Sequence, residues 1–492
     1  MNGTIAGEFA VTRGVRQGCP LSPALFVLSL DPLLRRAVLD RRIRGFPMVG
    51  QESVVVSAYA DDISVFARDA DSFLAFLRLF EQYASLSGAE LNPTKSSALA
   101  FGSFRGPLPA AVPFVDAVRV LGILFEPEGV SPRAWEEVLS RATRALAEAA
   151  PYHLSLKSKA TAVKTRVCAF AFYVARVATM PRRTAGRLAS LIVTFIWDGG
   201  QALVARRFLE LPVSRGGLGL PSVPTVARVL GARLVLSLLD ADWYPGRGLM
   251  LYWMGSVLRV FSPVRYSGPQ AERPSPYYRA VAGLKSALEC DAPDIDILDT
   301  PASRVSEVVC CSRLAQDDQT KCSVSRWRSW AAASLPDEVR DFEWHRRWGV
   351  LPTRQRLARW GIVPDEQCAN CGAQETPNHV FHQCAVAKSM WRLVARMFQI
   401  RVGRGARRQR GPFARLVVAA TMFVLWRRRC LAEARRTPAR AMYPALQNLR
   451  LVIWGYLSGL LAIDGEALFL RRWHTRFIVV TDGRLEMRAL LY

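Results

Sequence analysis

Two adjacent carboxylates, Asp61 and Asp62, stand between two apolar β-branched runs. Val54, Val55 and Val56 lead in, and Ile63, Val65 and Phe66 lead out, which predicts a short hairpin with both acids at its turn. Adjacent carboxylates repel, and this apolar stretch offers no local cation. A divalent metal would offset the repulsion; a solvated Asp-Asp turn is the other reading. A second constellation lies far downstream. Cys368, Cys371, His379 and Cys384 follow the pattern Cys-x2-Cys-x7-His-x4-Cys. Two thiolates one turn apart, then a His and a Cys after a polar loop, can close a tetrahedron about Zn²⁺. Gly372 suits the tight turn between the first pair. His382 stands too close to Cys384 to serve easily as a ligand, and four reduced free side chains are the other reading.

The elements that must position the carboxylates begin upstream. Gly14 and Gly18 punctuate a loop, and Ser22 followed by Pro23 predicts an N-cap with proline at the first helical position. Leu25, Phe26, Leu28, Leu30, Leu33, Leu34 and Val38 supply an apolar helix face. After the hairpin, Phe73, Leu74, Phe76, Leu77, Phe80, Tyr83 and Ala84 predict a helix over 72–87, stopped by Gly88. Residues 1–12 read as a strand pair joined near Gly7.

The order of glycine-rich loop, capped helix and Asp-Asp hairpin resembles the palm of reverse transcriptases. Arg16 to Pro23 (RQGCPLSP) and Tyr59 to Asp62 (YADD) are similar to the two boxes of the non-LTR, LINE-type retrotransposon enzymes. Ala60 in the second place of the later box favours the LINE type over retroviral enzymes. The resemblance implies an RNA-directed DNA polymerase that extends a DNA 3′ end on an RNA template by two-metal Mg²⁺ chemistry. It assigns catalysis and Mg²⁺ to Asp61 and Asp62. It places Arg16, Gln17, Gly18 and Tyr59 at the nucleotide and template. Lys95 stands where the family carries a lysine that helps pyrophosphate leave; a solvated turn lysine is the alternative. Residues 118–125, VRVLGILF, resemble the hairpin that grips the primer end, with Gly122 allowing close backbone approach. The Cys-Cys-His-Cys spacing resembles the knuckle found after the polymerase in many LINE-type proteins. The resemblance also implies a further aspartate strand, and fingers, upstream of the Gln-Gly loop. Residues 1–12 supply neither, and Asp31 and Asp40 fall on or after the capped helix. A C-terminal fragment, inactive on its own, is therefore expected.

Composition bears on the partners. Half of the 492 residues are apolar and 22% are charged, a globular balance. The formal charge of +25 implies a polyanionic partner, here an RNA template and a DNA primer or target. That excess lies downstream: the first 102 residues hold ten basic and ten acidic side chains. Of the 66 basic residues, 59 are Arg, a skew that base composition of a gene can also produce. No secretory signal is visible, and the apolar runs at 416–426 and 451–463 are too short to cross a bilayer, so no membrane partner and an intracellular site, nucleus or cytoplasm, are expected. Ten cysteines in this length do not make a disulfide scaffold.

The expected class is α+β. A partial palm of antiparallel sheet with helices on one face would cover 1–130, and a helical thumb 131–240. A connector would cover 241–305, with a Pro/Ser/Gly-rich linker at 262–276, a Trp/Arg-rich region with the zinc knuckle 306–400, and a basic helical tail 401–492. Within the thumb, the glycine-rich stretch 215–221 reads as a structural turn rather than a phosphate cradle. Trp327, Trp330, Trp344, Trp348 and Trp360 alternate with arginines; they either stack bases or fill a small core. Between Arg401 and Arg440 twelve Arg face one acid, Glu433, which marks Arg407, Arg408, Arg410, Arg427, Arg428 and Arg429 as candidate phosphate contacts. A non-catalytic nucleic-acid-binding remnant is the competing functional reading.

Overall fold

The computed structural model describes residues 14, 18–48, 51–102, 104, 112–241, 244–262, 266–315, 323–399, 411–435 and 442–488. It is a mixed fold of many helices and small antiparallel sheets, divided into two compact units. The first comprises residues 1–145, 166–190 and 222–309; the second comprises 146–165, 191–221 and 310–492.

In the first unit the helix Ser22–Leu39 is followed by two hairpins and the helix Ala70–Ser87. Ser22 lies inside the first helix, with Leu21 at the cap position and no side-chain cap bond, one residue away from the expected boundary. Asp69 caps the second helix, accepting from the Ser72 amide at 2.9 Å, and Gly88 ends it at φ +69° as expected. Ala37, Ile43, Val55, Ala75 and Phe76 form the core between these elements. Gly45 lets two backbones meet: a Cβ there would lie 2.2 Å from the Val54 carbonyl oxygen.

The antiparallel strands expected of the first region are present as small sheets. Among the described residues the strands form four separate sheets of two or three strands. No strand among the described residues exceeds four residues, so each turn pairs only its own flanks. The expected strand pair at 1–12 lies outside the described residues.

The expected connector carries helices of its own. Arg247–Met254 and Pro276–Asp291 share a core with Val223–Leu239, built from Val229, Val235, Met250, Met254, Leu284 and Leu288.

The second unit has two centres. One is the glycine-rich turn. Gly216, at φ +91°, lies under the Trp327 ring, and its carbonyl accepts from the indole N–H of both Trp344 (2.8 Å) and Trp348 (2.9 Å). Trp327, Trp330 and Trp344 are buried there. The other centre packs Asp337–Trp348, Ala385–Phe398, Pro412–Arg435, Tyr443–Asp464 and Glu466–Trp473 around Phe342, Met390, Phe398, Leu416, Leu449, Ile453, Leu457 and Trp473. The helix Tyr443–Asp464 extends the apolar run seen in sequence and is long and apolar enough to cross a membrane; its residues Leu449, Ile453, Leu457 and Leu461 lie in this core. A hairpin, Ile478–Thr481 with Arg484–Met487, ends the described chain where only helix was expected.

Candidate functional site

The carboxylate pair sits on the hairpin Val56–Tyr59 and Asp62–Val65. The register pairs Tyr59 with Asp62, so the loop is only Ala60 and Asp61. Asp62 is therefore the first strand residue rather than part of the turn. A two-residue loop needs left-handed backbone, and here Ala60 supplies it at φ +52°. An L-residue with a Cβ pays about 1–2 kcal/mol in that region. Tyr59, Asp61 and Asp62 are all exposed. Among the described residues neither carboxylate joins an ion pair, and no third His, Cys, Asp or Glu converges on them. Two exposed acid side chains suit Mg²⁺, which takes one or two carboxylates and completes its shell with water and phosphate.

Gly18 is at φ +85° in open space, just before the helix Ser22–Leu39. Arg16 and Gln17 lie outside the described residues. Lys95 is exposed on a turn in which Asn92 Oδ1 accepts from the Thr94 and Lys95 amides at 3.1 and 3.2 Å.

Gly122 lies at the tip of the hairpin Val118–Val120 and Ile123–Glu126. Leu121 and Gly122 are both left-handed, at φ +46° and +83°. Both of their carbonyls are capped. The Tyr173 hydroxyl donates to Leu121 O at 2.5 Å, and Arg119 donates to Gly122 O at 2.9 Å while also gripping Glu137.

The second constellation converges. The ligand atoms of Cys368, Cys371, His379 and Cys384 all lie within 4.8 Å of one another. Cys371 Sγ is 3.2 Å from His379 Nε2, and the Cys368 and Cys384 sulfurs are 4.0 Å apart. Zinc at ~2.3 Å from sulfur makes a tetrahedral edge of ~3.8 Å, so these separations bracket what the ion requires. Local structure explains the approach. Gly372 turns left-handed at φ +72°, its amide donates to Cys368 O at 2.8 Å, and the Cys368 amide donates to Ala373 O at 2.7 Å. Cys384 begins the helix Ala385–Phe398. Its thiol is held down to about 7, first because Cys368 donates to its sulfur and then because the Val386 and Ala387 amides point at it, against the opposing effect of burial. The shared proton pushes Cys368 the other way. His382 stacks on Trp391 instead of joining the ligands.

The tail arginines divide. Arg407, Arg408 and Arg410 lie outside the described residues. Arg427 is exposed, whereas Arg428 and Arg429 are buried. Arg429 donates to Glu375 Oε1 from Nε at 2.9 Å and from Nη2 at 2.6 Å; the Arg354 amide donates to the same oxygen at 2.7 Å. Arg354 also grips Glu433 (2.6 Å) and Asp365 (2.9 Å). This network ties the zinc knuckle to the helices Arg354–Arg359 and Pro412–Arg435. Sequence reasoning did not single out Glu375; its only signal was an acid lying between two metal ligands.

Comparison with known proteins adds the lineage. Residues 1–125 match the reverse transcriptase (RNA-dependent DNA polymerase) family, and residues 311–391 match the family described as zinc-binding in reverse transcriptase. Over these two segments the chain is similar to the reverse transcriptases of retrotransposons. It is 27% identical over 425 residues to a Pol polyprotein from a type-1 retrotransposable element R2 of Popillia japonica, covering 78% of this chain and 52% of that protein. It is 25% identical over 418 residues to the type-2 R2DM Pol polyprotein of Drosophila melanogaster, covering 80% and 36%. A Xenopus laevis protein of transposon TX1, 149 kDa and uncharacterized, is 28% identical over 256 residues, covering 50% and 19%. The chain thus spans between a fifth and a half of the length of these relatives.

Proposed function

We propose that the chain takes part in RNA-directed DNA synthesis, with residues 1–130 as part of a polymerase palm and 131–240 as its thumb. The observation that carries this reading is the Tyr59–Asp62 hairpin, whose strained two-residue turn holds both carboxylates out in solvent. Mg²⁺ bound there would activate a primer 3′ hydroxyl and neutralise the departing pyrophosphate. Asp61 and Asp62 hold and orient that charge. Arg16, Gln17 and Gly18 line the template and incoming nucleotide, with Tyr59 beside them. Lys95 supplies a proton or counter-charge to the leaving group. The tip at Gly122 positions the primer end. The cationic excess holds the nucleic-acid backbone. The zinc knuckle holds the second unit together.

Asp61 and Asp62 come from one hairpin, whereas a two-metal centre takes carboxylates from separate strands. Two-metal chemistry here would need a further carboxylate from outside this hairpin. The test reads the site without turnover. Fe²⁺ in place of Mg²⁺, with peroxide and an RNA template–DNA primer, is expected to cut the primer within a few nucleotides of its 3′ end. Asp61→Asn and Asp62→Asn should remove those cuts. Cuts that persist in both variants refute the assignment. Mg²⁺-dependent extension by the purified chain, abolished by Asp61→Ala, would show that such a carboxylate is present.

A further inference from the structure

Sequence offers five tryptophans interleaved with arginines between 326 and 360, and the structure separates them. Trp327, Trp330 and Trp344 are buried, and Trp348 is half-buried with its N–H on Gly216 O. Trp360 is 45% exposed at the end of the helix Arg354–Arg359, and Ile362, just beyond Gly361, is 64% exposed. Two other tryptophans are comparably exposed among the described residues, Trp253 and Trp454. Trp253 meets the Tyr252 ring, and Trp454 donates to Leu485 O. Among the described residues Trp360 alone of these three carries a guanidinium on its ring: Arg356 Cζ lies 4.8 Å from the centroid. The tip is also fixed in place. Glu375, between the zinc ligands, accepts from the Arg354 amide, and its carbonyl accepts from the Gln355 amide at 3.4 Å.

We infer that Trp360, with Arg356 behind it and Arg359 beside it, is a base-stacking platform for single-stranded nucleic acid, set beside the zinc knuckle and separate from the carboxylate hairpin. Charge selects this occupant. Of the five arginines between Glu343 and Asp365, Arg346, Arg347 and Arg354 are ion-paired with Glu343, Asp365 and Glu433, whereas Arg356 and Arg359, the two that flank Trp360, join no ion pair among the described residues. An aromatic ring with a cation on one face accepts any base on its remaining surface, and neighbouring arginines take the phosphates. A duplex keeps its bases stacked internally and gains little from such a ring. The inference rests on the nucleic-acid reading proposed above.

The test is fluorescence anisotropy of the zinc-loaded chain with a labelled 12-nucleotide oligouridine and with a blunt duplex of the same length. Trp360→Ala is expected to weaken single-strand binding about five- to a hundredfold, the range that loss of one base–aromatic stack produces. Trp360→Phe should stay within about threefold, because the ring face remains. Arg359→Gln should lower the slope of log affinity against log salt by about 0.7. Trp454→Ala should change nothing. Zinc content, measured in each variant, shows that the knuckle persists. Wild-type affinity in Trp360→Ala overturns the inference and leaves the tip as a protein-docking surface. Equal weakening on the duplex also overturns it. A wild-type chain that binds neither probe defeats the parent reading, which is a distinguishable outcome.

Discussion

Replacing Glu375 by alanine tests whether the buried ion-pair network holds the second unit together. The Glu375 side chain is 2% exposed and that of Arg429 is 9% exposed. Glu375→Ala leaves a buried guanidinium without two hydrogen bonds, of 2.9 and 2.6 Å, and leaves the Arg354 amide without its acceptor. Glu433 Oε2, 4.0 Å from Arg429 Nη2, is the only other acid that pairs with Arg429 among the described residues, and that distance is too long for a good hydrogen bond. Breaking a buried pair by removing one partner costs about 3–5 kcal/mol. Allowing for partial recovery by Glu433, about 3 kcal/mol is expected. For a unit of this size that is a fall in melting temperature of roughly 6–12 °C. Arg304–Glu307 provides the contrast, with side chains 64% and 32% exposed; Glu307→Ala should cost at most ~0.5 kcal/mol. Differential scanning calorimetry on the zinc-loaded chain, with hydrogen exchange to assign the transition to residues 310–492, measures both. Glu375→Met combined with Arg429→Met should recover at least half of the loss, because neither charge of this pair then remains buried. A shift for Glu375→Ala no larger than that for Glu307→Ala would refute the reasoning. So would a double variant as unstable as the sum of the singles.

Cys371 is the exposed ligand of the four, so Cys371→Ser should fold yet fall from about one zinc per chain to near none after dialysis against a chelator, read by atomic absorption. Gly216→Ala must adopt φ +91° and place its Cβ 2.5 Å from the Trp327 ring; a loss of ~2–5 kcal/mol is expected, seen as a lower thermal midpoint and altered tryptophan emission. Burial raises the Asp341 carboxyl to about 6, with Asp337 adding to the rise and the Leu156 amide, Lys159 and Arg340 opposing it. The folded state then holds that proton more tightly than the unfolded chain, so ionising Asp341 costs stability above about pH 6 and none below about pH 4. Asp341→Asn, which keeps an acceptor oxygen for the Leu156 amide, should match wild type near pH 4 and exceed it progressively through pH 6; a gain that does not vary with pH would count against this. His345, whose pKa burial lowers, contributes in the opposite direction and cancels in the comparison of the two proteins.

Much of both candidate sites was legible because it is written in local spacing. A two-residue loop between β-branched runs permits one register, and that register alone places Tyr59 opposite Asp62. Cys-x2-Cys with a following glycine closes on itself through bonds between residues four and five apart, so the knuckle needs little from the rest of the chain. The final hairpin was legible too and went unread. Asp482 and Gly483, at φ +52° and +70°, are one of the favoured dipeptides of a two-residue turn, set in a basic segment that otherwise reads as helical. The Pro/Ser/Gly-rich stretch 262–276 lies between two helices, Leu258–Phe261 and Pro276–Asp291, whose extent its composition does not give. Its prolines and glycines mark segment ends, such as Pro276 at the start of a helix, and composition does not distinguish ends from interiors.

By itself the sequence determined residue types at fixed short separations: the paired acids, the four zinc ligands, the glycines that must be left-handed and the sign of the charge. Tertiary structure alone decided which members of a chemically uniform set face water. Five tryptophans look alike in sequence, but Gly216 O draws in two of them, Trp327 covers the same glycine, and Trp360 is left outside. Arg427, Arg428 and Arg429 are likewise indistinguishable until Glu375 arrives from 54 residues away and claims the last of them. The physical reason is range. Backbone geometry and metal-ligand spacing act over a few residues, whereas burial and ion pairing depend on partners that only the folded chain brings into contact.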